Sequence, residues 1–509
     1  MSPSRGDRGR HEDTSSARQD GRDPGRRDPG LRDPGRRDPA GGARGRDIRR
    51  DRESRPPRGG RPLVDPARQA AYEAVAAVQR DDAYANLALP AILRDLRLSG
   101  RDAAFATELT YGTLRALGTL DAVLADAAGR EVARIDHQVR DALRLGAYQL
   151  LYTRVPAHAA VSSTVDLVRM AAGPSATGFA NAVLRRAGER SLDDWLARLA
   201  PDETTDPVGH LALVHSHPQW IVRAFAEALG GDLAETARAL AADNEPAPVH
   251  LCARPGLIDP MELADQSGGV PGAFSPYAVY LQGGAPGDVP AVAQGLAHVQ
   301  DEGSQLVALA LAEAPLAGGD ERWLDLCAGP GGKAGLLGAL AAQRGARVTA
   351  VEVAPHRAEL VTRAVRGLPV EVLCTDGREM GDDGAFDRVL VDAPCSGLGS
   401  LRRRPESRWR RQPSDLPPLT KLQRELLAAA IRAVRPGGLI GYVTCSPHLV
   451  ETRVTVDEGM RRSPHHVRQL DARPLLPEGM PGLGAGPAVQ LWPHRHGTDG
   501  MYLAVLQRE

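Results

Sequence analysis

Cys395 in DAPCSG, Cys445 in VTCSP and the acid Asp392 are residues whose types could perform covalent chemistry together. Each cysteine follows an apolar, β-rich run (FDRVLVD and LIGYV), so each is expected at a strand end, facing a cleft. A thiolate in such a place is a nucleophile. Added to C6 of a pyrimidine, it turns the inert C5 into an enamine carbon that can accept a methyl group from a sulfonium donor. An acid near N3 favours this addition by stabilising charge on the adduct, a part open to Asp392. A base must later remove the C5 proton, after which the thiol leaves. Spacing alone leaves open which cysteine attacks.

A donor site is expected earlier in the chain. DLCAGPGGK runs from Asp325 to Lys333, after the apolar pair Trp323-Leu324 and before the helix-like AGLLGALAAQ. Strand, glycine turn and helix in that order let Cys327, Ala328, Gly329, Pro330, Gly331, Gly332 and Lys333 wrap a ligand at a helix N-terminus. Glu352 ends the next β-rich run, VTAVEV, 27 residues after Asp325, a spacing that suits a carboxylate holding ribose hydroxyls. Asp376 ends VEVLCTD and could receive an adenine amino group. The loop is neither GxGxxG nor a P-loop, and its internal proline argues against a dinucleotide.

These groups need an open α/β sheet with its strand ends on one rim. Ahead of it, between Pro66 and about Arg190, apolar residues recur at helical spacing in five or more segments, so a compact helical bundle is expected there. Between bundle and sheet, NEPAPVHLCARPG and YLQGGAPGDVPAVAQ read as a small α/β lead-in. Gln300, Asp301 and Ser304 start the helix before the sheet, with Asp301 or Ser304 able to cap it. The closing LWPHRHGTDGMYLAVLQR reads as a final strand pair.

Charge is uninformative overall, at −1 over 509 residues, but its distribution is not. Residues 1–60 carry 17 arginines against 11 acids, repeat Arg-Asp-Pro every five residues from Arg22 to Arg37, and contain almost nothing apolar. This tail is expected to be disordered, with loose RNA tethering as its candidate role. LRRRPESRWRR packs six arginines and Trp409 into eleven residues just after Cys395, a composition suited to phosphates and bases. Arg402, Arg403, Arg404, Arg408 and Trp409 are therefore candidate RNA contacts. The five cysteines form no CxxC pair, and Cys252, Cys327 and Cys374 read as small buried fillers. His215, His217 and His250 lack partners at ligand spacing, so no metal is expected. Reduced thiols and the lack of a secretory signal or a bilayer-length apolar run point to a cytoplasmic protein.

The motifs carry a resemblance. RDAAFATELTYGTLR, LRLGAYQLLY and GFANAVLRR resemble the NusB-like RNA-binding domain found at the front of Sun/RsmB (Fmu) ribosomal RNA methyltransferases. DLCAGPGGK, DAPCSGLGSLRRRPESRWR and YVTCSPHLVE resemble the signature segments of the same 5-methylcytosine family. Departures are small: Gly329 replaces the usual alanine, and Glu451 is followed by Thr452 rather than asparagine. The resemblance implies an all-α NusB-like domain followed by a Rossmann-like, S-adenosylmethionine-dependent α/β methyltransferase domain. It assigns Cys445 as nucleophile and Cys395 to product release, with S-adenosylmethionine held by the glycine loop, Glu352, Asp376 and Asp392. Arg115, Arg144, Arg185 and Arg186 become candidate phosphate contacts. The expected layout is a tail over 1–60, the NusB-like domain over 61–195, the lead-in over 205–295 and the catalytic domain over 296–509. Small-subunit (16S) ribosomal RNA, free or in an assembling particle, is the implied partner, and the protein is expected to act as a monomer. A methyltransferase for another RNA, such as transfer RNA, and a non-catalytic RNA-binding or antitermination factor are the alternatives.

Overall fold

A computed structural model describes residues 64–380 and 384–509; the expectations for the tail lie outside these residues. Seven α-helices, from Pro66–Arg80 to Thr177–Ala187, form the bundle predicted from the helical spacing. Leu109, Leu114, Leu120, Leu124, Leu143, Leu167 and Leu184 fill its centre and are fully buried. Asp65 and Asp136 cap the first and fifth helices by accepting hydrogen bonds from backbone N–H groups of the first turn.

Three short helices (Pro207–Val214, Gln219–Ala228 and Leu233–Ala242) lead to a four-stranded antiparallel sheet. Its strands are β1 (Val249–Ala253), β2 (Val270–Pro271), β3 (Ala278–Leu281) and β4 (Ala297–Val299), in the order β2-β3-β1-β4. The next helix, Glu302–Glu313, is capped by Asp301, which accepts from Gly303 N–H.

The large sheet contains β5 (Arg322–Asp325), β6 (Arg347–Val351), β7 (Val370–Leu373), β8 (Phe386–Asp392), β9 (Val434–Thr444), β10 (Val467–Leu470), β11 (Val489–Gln490) and β12 (Tyr502–Arg508). Its order is β10-β12-β9-β8-β5-β6-β7, with β11 paired to β12. Strands β5 to β9 run parallel, and β12 is antiparallel to β9. The chain starts at β5, fills one side through β7, then crosses back to β8. The strand order therefore reverses beside β5, where ligands bind in open α/β sheets.

Strands covered on both faces read as continuous apolar runs rather than alternating ones. Thus Arg388 to Val391 in β8 are all buried. Leu390, Leu439 and Val443 face the helices Glu302–Glu313 and Gly332–Arg344, whereas Val389, Val391, Ile440 and Tyr442 face Leu416–Ala433 and Arg453–Arg462. The C-terminal segment differs from the predicted strand pair. Pro493–His496 is a helical turn, and one long strand, β12, lies between β9 and β10. Pro493 lacks the N–H a ladder needs and starts a helix without loss. Among the described residues, no helix is long and apolar enough to cross a membrane.

Candidate catalytic site

Asp325 ends β5 fully buried, with one carboxylate oxygen 3.4 Å from Cys327 N and the other without a partner. From there the chain turns into the glycine loop, pinned by Ala328 N–H to Val351 O (2.9 Å) and Gly331 N–H to Ala328 O (2.7 Å). One glycine, Gly331, is sterically required, and at a second, Gly329, a side chain would displace its neighbours. Gly331 has φ +111°, and a Cβ at Gly329 would lie 2.2 Å from a Glu352 oxygen. Glu352, just past β6, is buried; it accepts from Ala354 N–H at 3.0 Å and pairs with Arg357 at 3.4 Å. Arg357 also donates to Gly329 O, tying the carboxylate to the loop. Asp376 follows β7, where Arg378 already pairs with it and holds its carboxyl below the usual range. Lys333 opens the following helix, and its ammonium lies 2.8 Å from Asp392 at the end of β8.

Burial pushes the Asp325 carboxyl up to about 7, the Asp392 charge adding to the rise and Lys333 opposing it. A carboxyl raised from 3.8 to about 7 binds its proton more readily folded than unfolded. Its stabilising effect is complete below pH ~4 and lost as pH rises through about 7. Asp325→Asn, which carries no ionisable group, is therefore expected to be more stable than the parent at pH 8 by about 1–2 kcal/mol, with the gap closing near pH 4. Thermal unfolding of both proteins across that range checks this, and parallel pH profiles would refute it.

The two thiols meet. Cys395 Sγ and Cys445 Sγ are 3.3 Å apart, on loops leaving β8 and β9. The hydrogen bond between them can run in either direction, and the charges around its two ends differ. It lowers the Cys445 thiol, helped by the charges of Lys333 and Arg404 and opposed by burial and Asp392. The Cys395 thiol is pushed well up by the same bond and by burial. A thiolate at Cys445, accepting from Cys395, is the arrangement that the charges of Lys333 and Arg404 favour.

Sequence reasoning missed the residue that holds these loops together. Glu451 is fully buried and accepts from Ser396 N–H (2.7 Å), Ser446 Oγ (2.7 Å) and Gln423 Nε2 (3.1 Å). One carboxylate therefore bridges the residue after Cys395 and the residue after Cys445. The available signal was an acid following the TCSP turn at the end of an apolar strand. Asp325 was missed too, although it is the sole ionisable residue in WLDL.

The other thiols are a mixed set. Cys252 is the expected buried filler and Cys327 is half-buried, but Cys374 is exposed, because it lies just past β7 on the open rim. His250 stacks on Tyr280 and accepts from Glu302 N–H, while His217 sits 3.7 Å from Asp243. Among the described residues, no group of three histidines, cysteines or acids could hold a metal.

Several candidate RNA contacts require correction. Arg402 is buried and pairs with Asp301 and Asp499, and the half-buried Arg403 pairs with the same two acids. Arg408 is fully buried and donates to Arg115 O, Asp243 O and Asn244 Oδ1. Its guanidinium thereby joins the helical bundle to the segment before the small sheet. Burial lowers it to about 10, with Asp243 opposing. Trp409 packs so closely on the bundle that a Cβ at Gly118 would lie 2.4 Å from its ring. Arg144 is buried in a bidentate pair with Asp121, both contacts 2.7 Å. Arg115, by contrast, is half-buried over Tyr111 and has no acceptor for its guanidinium among the described residues. A guanidinium buried against protein acceptors, as in Arg402, Arg408 and Arg144, is out of reach of a phosphate in solvent. Arg185, Arg186 and Arg404 are exposed.

The family model described as 16S rRNA methyltransferase RsmB/F matches residues 314–507, and the NusB family model matches 65–189. A putative methyltransferase of Mycobacterium tuberculosis is 58% identical over 448 residues, covering 88% of this chain and 97% of that protein. The probable ribosomal RNA small subunit methyltransferase B of Bacillus subtilis is 30% identical, over 87% of this chain and 98% of its own. Among solved structures, PH0851 superposes with a TM-score of 0.72 at 22% identity, covering 87% of this chain and 99% of that one.

Proposed function

The chain belongs to the RsmB/F family of 16S rRNA methyltransferases, and from that premise we propose that it methylates C5 of a cytosine in small-subunit ribosomal RNA. The observation that carries this reading is the pair of thiols 3.3 Å apart beside the glycine loop. S-adenosylmethionine fits the residues on that rim. The lack of a Cβ at Gly329 lets the Glu352 carboxylate come close against the loop, a buried Asp325 oxygen lacks a partner, and the loop leads into a helix N-terminus. When bound, S-adenosylmethionine supplies an electrophilic methyl group. Glu352 is the residue assigned to the ribose hydroxyls, and Cys327 to Lys333 form the cradle.

In this reading the Cys445 thiolate adds to C6 of cytosine, forming a C–S bond and moving electron density to C5 and N3. Asp392, held by Lys333, passes to N3 the proton that the Cys445 thiol gives up, which neutralises the density arriving there. Once C5 has been methylated, Cys445 is a thioether and no longer competes for a proton with its neighbour. The Cys395 thiol can then ionise, remove the C5 proton and let the electrons expel Cys445 as a thiolate. Two identical residues thereby act as nucleophile and base because the charges around them differ, Lys333 and Arg404 favouring the thiolate at Cys445.

The test is to incubate the purified protein with small-subunit ribosomal RNA, free and as assembling particles, together with S-adenosylmethionine. Nucleosides from the digested RNA are then resolved by mass spectrometry. 5-Methylcytidine is expected. A methyl group on another base, or no methylated nucleoside from either substrate, overturns the proposal.

A further inference from the structure

The segment after Cys395 contributes six arginines; four are bonded to protein groups, and of the two that are not, Arg404 and the half-buried Arg411, Arg404 is the exposed one. Arg402, Arg403, Arg408 and Arg410 each donate to acids or to backbone carbonyls. Arg404 is exposed, and among the described residues its guanidinium makes neither hydrogen bond nor ion pair. Instead it lies 5.6 Å from the centre of the Tyr84 ring. Tyr84 belongs to the helical bundle, in the turn between helices Pro66–Arg80 and Ala85–Asp95, and is 41% exposed.

That turn is fastened to the segment that follows Cys395. Arg410 donates to Val78 O at 2.7 Å and to Ala83 O, and its guanidinium lies 5.4 Å from the same ring. Ala85 N–H donates to the buried Glu406 at 3.3 Å. The bundle thus brings an aromatic ring to the segment that begins at Cys395. Arg404 lies near enough to Cys445 for its charge to help lower that thiol.

Exposed large side chains with unused polar groups suit a ligand of complementary chemistry. A guanidinium laid over an aromatic ring keeps its N–H groups outward in its own plane, free for phosphate oxygens, while its outer face can stack on a base. We infer that Arg404, held over Tyr84, grips the RNA backbone next to the target pyrimidine, so that the helical bundle supplies part of the catalytic cleft's RNA surface. This rests on the RNA-methyltransferase reading and adds to it a place for the flanking nucleotide. The nearby acids do not oppose it strongly. Glu406 is buried and accepts from the bundle, and Asp82 lies beside Arg410.

The experiment measures binding of a labelled single-stranded RNA oligonucleotide to the full chain by fluorescence anisotropy across salt concentrations. Arg404→Ala is expected to weaken binding about tenfold and to lower the salt slope by about 0.7, the share of one phosphate contact on a single strand. Tyr84→Ala should weaken binding less and leave the salt slope unchanged, because no charge is removed. Tyr84→Phe should match the parent, since only the ring face is used. Calorimetry with S-adenosylmethionine, expected to be unchanged in all three, shows that the variants are folded. Equal affinity and salt slope in Arg404→Ala and the parent overturn the inference. If the parent binds RNA with the expected slopes but leaves no 5-methylcytidine, the methyltransferase reading fails and the surface stands.

Discussion

Cys445→Ala is expected to lose methylation by at least about 10⁴-fold and to form no covalent RNA adduct, because no group remains to attack C6. Cys395→Ala should behave in the opposite way. Its Cys445 still adds to the base, yet the C5 proton stays after methyl transfer and the enzyme cannot leave. A denaturing gel should show a protein–RNA band that persists with S-adenosylmethionine present. The alanine at 395 also removes the hydrogen bond that lowers Cys445, so adduct formation should need a higher pH than in the parent. A trapped band from Cys445→Ala and none from Cys395→Ala would reverse the roles. No adduct from either variant, with both folded, would favour a non-catalytic RNA-binding protein.

Arg408→Ala should produce the largest loss of stability, about 3 kcal/mol or more. The guanidinium is fully buried and satisfies acceptors from Arg115, Asp243 and Asn244. Removing it strands those acceptors away from water, at about 1–3 kcal/mol for each group left unpaired. A lysine should not rescue the loss, because one ammonium cannot reproduce the planar fork. A lower melting temperature for both variants, with faster proteolysis near residue 200, is the expected result. Unchanged melting in Arg408→Ala would show that water replaces the guanidinium at no cost.

The catalytic rim was legible because its signals are local. A glycine turn between a strand and a helix, and polar residues just past apolar runs, need no tertiary information. The paired cysteines and Lys333 belong to that class. The arginines of LRRRPESRWRR were not legible in the same way. Their composition suits RNA, but whether each faces solvent depends on acids far away in sequence, such as Asp301 and Asp499. Arg144 was misread for the same reason, since its partner Asp121 sits on a neighbouring helix. The role of Glu451 escaped notice because it exists only once two strand ends lie side by side. At the C-terminus, Pro493 carried the information that ruled out a strand pair.

The burial of Arg408 and Trp409 bears on how such a protein can be divided. By sequence match, the bundle and the catalytic segment are separate modules with a long stretch between them. Energetically the seam runs elsewhere, because the segment after Cys395 has its side chains inside the bundle's territory. A cut near residue 200 would leave the catalytic fragment with an uncovered indole and a guanidinium stripped of its Arg115 acceptor, close to the nucleophile's partner loop. Gene fusions or domain exchanges at that point would carry the bundle's contact surface away from the residues shaped to fit it. Loss or replacement of the bundle in related chains should then be accompanied by change in the residues at 404–410, so that these two distant stretches vary as one unit.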